Sequence, residues 1–336
     1  MGGRLLLETC FDDLKILVIG DVILDHYLIG KVDRISPEAP VPVVLHQVEE
    51  YRLGGAANVA LNIKAMGATP YLLSLVGTDV YGEKLIKLLE EASLSTSFIT
   101  KDKNKTTSCK TRILARNQHL LRYDRETTDW IEQEVEAKMV LTIKNLLEQE
   151  PIDAIIFQDY NKGLLTNGLI FEVLKLAKKQ GIKTLADPKK ANFLAYSGVD
   201  WFKPNLREIN EGLGLSISEH NPQLEELGIA AQTINKHLNN THTLITLGAK
   251  GMYYQTPSEE GVFPTKERQV ADVCGAGDTV ISILSLAVAA NLEIKEAVAL
   301  ANIAGGQVCE KVGVVPINKA ALLREYKGNN KPFLIP

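Results

Sequence analysis

Short apolar runs alternate with longer stretches of helical period along most of this chain. Lys15-Ile16-Leu17-Val18-Ile19 ends at Gly20-Asp21, the pattern of a buried parallel strand with a polar turn at its carboxyl end. The runs Tyr71 to Val76, Ala154 to Phe157, Lys183 to Ala186, Asp200 to Lys203 and Thr243 to Leu247 repeat it, and each closes on a polar or glycine cluster. Between them the spacing predicts a small-residue helix opened by Gly54-Gly55 and ended by Gly67, then helices over Glu83 to Glu91, Glu132 to Gln149 and Asn167 to Gln180. A nearly unbroken apolar stretch, Val280 to Ala290, reads as a helix buried on all sides. Strands alternating with helices describe an α/β fold with a doubly wound, mostly parallel sheet. Its functional edge lies at the carboxyl ends of the strands, where ligands of open sheets gather.

From Tyr27 to Gln47 the pattern changes to short β-prone pieces around Pro37, Pro40 and Pro42, which exclude a helix or a central strand. A later stretch, Ser108 to Ala115 and Leu120 to Asp124, again alternates in strand fashion. The expectation is one domain over residues 1–336, with a small β-sheet lid from about 27–50 and 108–124 standing over the carboxyl ends. Such a lid must cover its apolar face, and the same lid of a second subunit is a ready partner, so a homodimer is expected.

Charge changes this picture little. A net charge of −4 with 23% charged residues gives no basic excess for nucleic acid. The longest apolar run falls short of the roughly 20 residues that span a bilayer, and Met1 to Asp13 lacks the basic-then-apolar order of a signal peptide, so no membrane partner is expected. Cys10, Cys109, Cys274 and Cys309 lie far apart with no CxxC, which points to a reducing, cytoplasmic setting.

The candidate chemistry centres on Asp272-Val273-Cys274-Gly275-Ala276-Gly277-Asp278-Thr279, just before the buried helix. Backbone N–H groups of Gly275, Ala276, Gly277 and Asp278 at a helix N-terminus would converge on an anion. A carboxylate at Asp278 serves either as a cap or as a base aimed at a nucleophile attacking a bound phosphate. Taken alone, the turn fits a capped core helix at least as well. Asp21 and Asp25 are suited to accept hydrogen bonds from polyol hydroxyls, or equally to shape a turn and the surface. Gly54 and Gly55 expose N–H groups to a second ligand, and Asn58 offers both donor and acceptor.

Four motifs in order, Gly54-Gly55-Ala56-Ala57-Asn58, Asn205-Leu206-Arg207-Glu208, Thr246-Leu247-Gly248-Ala249-Lys250-Gly251 and Gly275-Ala276-Gly277-Asp278, resemble the ribokinase-like (PfkB-type) carbohydrate kinases over essentially the whole chain. Arg34 to Pro42, Arg116-Asn117-Gln118 and Asp159-Tyr160-Asn161-Lys162-Gly163 further resemble the D-glycero-β-D-manno-heptose-7-phosphate kinases of lipopolysaccharide core synthesis. The resemblance implies ATP as phosphoryl donor, Mg²⁺, and phosphorylation of an anomeric hydroxyl to give heptose 1,7-bisphosphate. It implies Asp278 as base, Gly275, Ala276 and Gly277 as anion hole, and Asp21, Asp25, Gly54, Gly55 and Asn58 around the sugar. Arg116 and Lys162 would hold the substrate phosphate, with Arg34 and Lys110 behind them. Asn205, Thr246, Gly248, Gly251 and Asn302 would line the nucleotide, and Glu208 would hold Mg²⁺ through water. The nucleotidyltransferase half that often accompanies such kinases carries an HxGH motif; none occurs here, so adenylyl transfer is not expected. The competing readings are a kinase of this type for another sugar, or a catalytically silent binding protein. The absence of GxGxxG after the first strand and of GxxxxGK[ST] disfavours dinucleotide and P-loop chemistry.

Overall fold

The computed structural model describes residues 9–116 and 118–328 of the protein. In chain order its elements are β1 (Lys15–Gly20), β2 (Val22–Ile35), β3 (Pro42–Gly55), α1 (Ala56–Ala65), β4 (Thr69–Gly77), α2 (Val80–Glu91), β5 (Ile99–Asp102), β6 (Cys109–Ala115) and β7 (Gln118–Arg125). Then follow α3 (Gln133–Gln149), β8 (Ala154–Gln158), α4 (Asn167–Gln180), β9 (Lys183–Asp187), β10 (Trp201–Phe202), α5 (Leu206–Leu213), α6 (Leu224–Leu238) and β11 (His242–Thr246). The chain continues through β12 (Met252–Gln255), β13 (Glu260–Phe263), α7 (Ala276–Ala289), α8 (Ile294–Val308) and α9 (Lys319–Gly328).

The large sheet runs β13-β12-β11-β10-β9-β8-β1-β4-β5. Its pairings are parallel from β5 to β11, and a hairpin, β12 and β13, extends the edge antiparallel. The pleat of β1 divides the core. Ile16 and Val18 point to one layer with Ile63, Leu85, Ile281 and Leu300, while Leu17 and Ile19 point to the other with Ile143, Val173, Ile209 and Ile234. With both faces covered, the central strands are apolar throughout, as the unbroken runs of the sequence predicted.

A second sheet, β3-β2-β6-β7, stands apart. The sequence was read as short strands here, whereas β2 and β3 each span 14 residues and pair antiparallel along their length, with register shifts at Ile29/Gly30 and Val32/Arg34. Bulges of this kind twist long strands without ending their pairing. β2 pairs parallel with β6, and β6 antiparallel with β7, so the two predicted stretches do meet. One residue, Asp21, separates β1 from β2, so the chain leaves one sheet and enters the other at the carboxyl end of the first. Part of the small sheet is buried through Leu24, Tyr27, Leu53 and Cys109, while Leu45, Leu121 and Tyr123 stay 49%, 59% and 60% exposed.

Candidate active site

Helix α7 begins earlier than its apolar run, at Ala276, with Gly275 as N-cap in the left-handed region at φ 77°. A side chain at Gly275 would be strained there and would crowd Asn58 Nδ2 at 2.8 Å. Asp278 is therefore the third helical residue and not the cap. Its side chain turns inward, 2% exposed. Oδ1 accepts from Tyr160 Oη at 2.6 Å and Gln158 Nε2 at 3.1 Å, and Oδ2 accepts from Asn58 Nδ2 at 2.9 Å. Burial pushes its carboxyl up to about 7, against the pull of Asn58 and Tyr160. A base that titrates near neutrality is matched to proton abstraction at physiological pH. Of the expected anion cradle, the Ala276 N–H closes onto the Val273 carbonyl at 3.3 Å, so that donor is already engaged.

Beside the turn lies a cationic layer that the sequence reading did not assign. Lys203, almost fully buried, pairs with Asp187 at 3.1 Å. A Cβ on Gly277 would sit 3.8 Å from Lys203 Nζ, so this ammonium faces the helix N-terminus directly. Gln158 Nε2 ties Asp187 to Asp278 by also donating to Asp187 Oδ2 at 3.2 Å. Lys189 pairs with Glu208 and lies 5.4 Å from the centre of the Tyr160 ring. Burial alone would lower the Lys189 ammonium, but the Asp187 and Glu208 carboxylates outweigh it and hold the group above its usual range. Gln158, Asp187 and Lys203 sit at or just past the carboxyl ends of β8, β9 and β10. That position in an open α/β sheet was the signal that could have found them.

Asn205 and Glu208 form a capping box at α5: Asn205 Oδ1 accepts from Glu208 N, and Glu208 Oε2 from Asn205 N, each at 2.8 Å. Glu208 thus engages one oxygen in the cap and the other with Lys189. Thr246 ends β11 and bridges to Asn205, and Gly248 (φ 59°) and Gly251 (φ 94°) turn the chain just beyond it. Asn302, on α8, donates to the Pro264 carbonyl at 3.0 Å, fixing the exit of β13. Apart from Asn302, which lies within α8, these residues stand at the ends of β11 and α5.

The sugar-side residues divide in two. Asp25, on β2, is buried and paired with Arg112 of β6, a residue the sequence reading passed over. Burial raises its carboxyl in spite of that guanidinium. Gly54 packs against Asp25 so closely that any Cβ would collide with its Oδ2, so the glycine is required for the carboxylate to stay in place. Asn58, fully buried, is oriented by Asn62, which donates to its Oδ1 at 3.2 Å. Gly55 joins β3 to α1 at φ 58°. Asp21 is different. Its Oδ2 accepts from the backbone N–H groups of Tyr160 (2.9 Å) and Lys162 (3.0 Å), and its Oδ1 from Leu164 (3.4 Å). Burial, with Asp159 nearby, pushes its carboxyl up to about 6. Three of its lone pairs serve backbone N–H groups of the 160–164 loop, a duty beyond the sugar contact expected from sequence.

Lys162 pairs with Glu126 at 2.8 Å, and Lys110 reaches both Asp124 and Glu126 at 3.1 Å. Arg116 is exposed at the tip between β6 and β7, at φ 50°, and Arg34 is exposed on β2. The structure therefore does not bring Arg116 and Lys162 into one described cluster; Asn117 lies outside the described residues.

The profile of the pfkB family carbohydrate kinases matches residues 13–320. Among curated proteins the chain is 39% identical over 307 residues to the bifunctional protein HldE of Syntrophotalea carbinolica, covering 91% of this chain and 61% of that one. It is 38% identical over 299 residues to the bifunctional protein HldE of Aliarcobacter butzleri, covering 89% and 61%. The chain thus spans less than two thirds of the length of these relatives. Phosphofructokinase-2 from Escherichia coli superposes with a TM-score of 0.76 at 18% identity over 95% of this chain and 99% of that one. Arabidopsis thaliana ribokinase, complexed with ribose and ATP, gives 0.69 at 17% identity over 93% and 99%. At such identities the likeness establishes the ribokinase-like fold. The family match, running through the small sheet, Asp278 and α8 alike, makes the chain a member of the pfkB family of carbohydrate kinases.

Proposed function

We propose that this protein transfers the γ-phosphoryl group of ATP to the anomeric hydroxyl of D-glycero-β-D-manno-heptose 7-phosphate, giving heptose 1,7-bisphosphate for lipopolysaccharide core synthesis. The observation that carries the reaction type is the buried Asp278 carboxylate, poised near neutrality at the N-terminus of α7 beside Lys203. The choice of heptose phosphate is supported by the motif resemblance described above and by the identity to the HldE proteins. Asp278 takes the hydroxyl proton as the oxygen attacks phosphorus, the bond to the β-phosphate oxygen breaks, and ADP leaves. Positive charge from Lys203 and the N-terminal N–H groups of α7 offsets the charge spread over the moving group. Lys189 stands further out beside the Tyr160 ring.

Glu208, with Asp187 nearby, would hold Mg²⁺ through water, and the ion would supply charge neutralisation at the phosphates. The residues fit an ion held largely by phosphate and water. Glu208 and Asp187 provide carboxylates close to the cation layer, yet Glu208 already serves Lys189 and its own helix cap. Among the described residues no cluster of three or more His, Cys, Asp or Glu side chains forms a separate metal cage. The exposed apolar side chains of the small sheet support its role as a lid and a homodimer built through it. A single-subunit mass by light scattering at working concentration would remove the dimer. No helix among the described residues is long and apolar enough to cross a membrane. Cys109, Cys274 and Cys309 remain thiols, which supports a reducing, cytoplasmic setting.

The decisive assay is ADP release from Mg-ATP with the heptose 7-phosphate, beside ribose, fructose and fructose 6-phosphate. Selective turnover of the heptose phosphate is expected. Faster turnover of another sugar would keep the kinase and discard this substrate, and no turnover with any of them would favour a silent binding protein.

A further inference from the structure

The Asp278 carboxylate has unequal oxygens. Oδ1 receives two donors, Tyr160 Oη and Gln158 Nε2, whereas Oδ2 receives Asn58 Nδ2. An ionised carboxylate oxygen has about two lone-pair sites. Oδ1 is therefore filled, and Oδ2 retains room for a second hydrogen bond. An aspartate in the first turn of a helix can also rotate to serve backbone N–H groups of that turn, so its working rotamer must be held from outside.

Tyr160 is placed to do this. Its backbone N–H is fixed by Asp21, its ring lies under Lys189 Nζ, and its hydroxyl makes the shortest of the three bonds to Asp278. We propose that Tyr160 is a positioning residue for phosphoryl transfer: its hydroxyl holds Asp278 through Oδ1, so that Oδ2 faces the attacking hydroxyl of the sugar. The loop that carries Tyr160 is in turn set by Asp21, which gives that carboxylate its place in the reaction without touching substrate. Burial, with Asp278, Asp187 and Asp25 around it, keeps the Tyr160 phenol protonated and hence a donor, never a rival base. The other charged groups facing Asp278 are Asp187 and Lys203 at the ends of β9 and β10, with Lys189 further out. Phe at position 160 leaves all of them in place.

The inference rests on the kinase reading above, and the test separates the two. Tyr160→Phe keeps the ring and is expected to unfold near the wild-type temperature. With the sugar or sugar phosphate that the wild type turns over fastest, kcat should fall about 10–100-fold, the loss of one hydrogen bond to a charged group. KM for both substrates should stay within about threefold, and the acidic limb of the kcat/KM profile should move up by about one pH unit. Unchanged kcat and an unmoved limb would overturn the proposal, as would a raised sugar KM at wild-type kcat, the mark of a plain sugar contact. A second measurement needs no substrate: the ¹³C carboxyl titration of Asp278, assigned with Asp278→Asn, in wild type and Tyr160→Phe. A higher midpoint in the variant is expected, and coincident curves would overturn the proposal even if every sugar tried proves inert.

Discussion

Asp21 and Asp278 are two buried aspartates at element ends on the same side of the large sheet, and burial raises both. What separates them is the kind of donor each meets. Asp21 is bound by backbone N–H groups of a single loop, a set that folding itself delivers, two on Oδ2 and a longer one on Oδ1. Asp278 is held by side chains from three other elements or their ends, α1, β8 and the turn after β8, and one oxygen keeps an open site. A carboxylate held only by the backbone of one loop is a piece of architecture, whereas one held by side chains beside a buried ammonium is poised for a substrate. The same chemical group thus acquires two roles from its partners, with burial common to both.

That contrast breaks most visibly on substitution. Asp278→Asn is expected to lower turnover roughly 10²–10⁴-fold while ATP binding, followed by calorimetry, is retained. Turnover within a few-fold of wild type would take the role of base away from Asp278. Asp21→Ala should act in the opposite sense, on the fold before the chemistry. It strands the N–H groups of Tyr160, Lys162 and Leu164, and a loss of about 2–4 kcal/mol in denaturant unfolding is expected. Were Asp21→Ala to keep its stability and raise only the sugar KM, Asp21 would be a sugar ligand after all and the contrast would collapse. A smaller effect is the acid side of the wild-type rate profile. With the Asp278 carboxyl near 7, kcat/KM should fall about tenfold per pH unit below that point, and a profile flat down to about pH 5 would contradict it.

Much of this was legible in the sequence because one-dimensional pattern and three-dimensional position coincide. The apolar runs of β1, β8 and β11 and the largely apolar α7 are buried on both faces, so composition marks them. Asp278, Asn58 and Gly275 stand in local motifs and do meet in space. Arg112, Asp187, Lys203 and Tyr160 were not singled out, since each draws its meaning from a partner far away in the chain: Asp25, Gln158, Gly277 and Asp278. Nothing local distinguishes Lys203 from a solvated lysine. Asn205 and Glu208 show the converse, a local duty legible beside any ligand contact. Their first duty is the capping box, visible in the N-x-x-E spacing itself and satisfied entirely within the first turn of α5.

The last expected effect concerns stability, is spread over about three pH units, and is the most direct measure of how far Asp278 is held out of water. Its carboxyl titrates near 7 in the folded chain and near its ordinary value of 3.8 when unfolded. Between those limits the folded state binds more protons than the unfolded state, so this group makes stability fall as pH rises from about 4 to about 7 and level off above. The whole contribution is on the order of 4 kcal/mol, the conversion of that displacement into free energy. Asp278→Asn cannot titrate and removes this slope, whatever its amide does to the neighbouring donors at any single pH. Asp21, raised to about 6, contributes a like-signed and smaller slope that remains in the variant. Unfolding free energies measured across this range for the two proteins should therefore converge or diverge steadily with pH up to about 7 and run parallel beyond it. Parallel curves throughout would mean that the Asp278 carboxyl is not raised in the folded chain, and would return it to the company of ordinary helix-terminal acids.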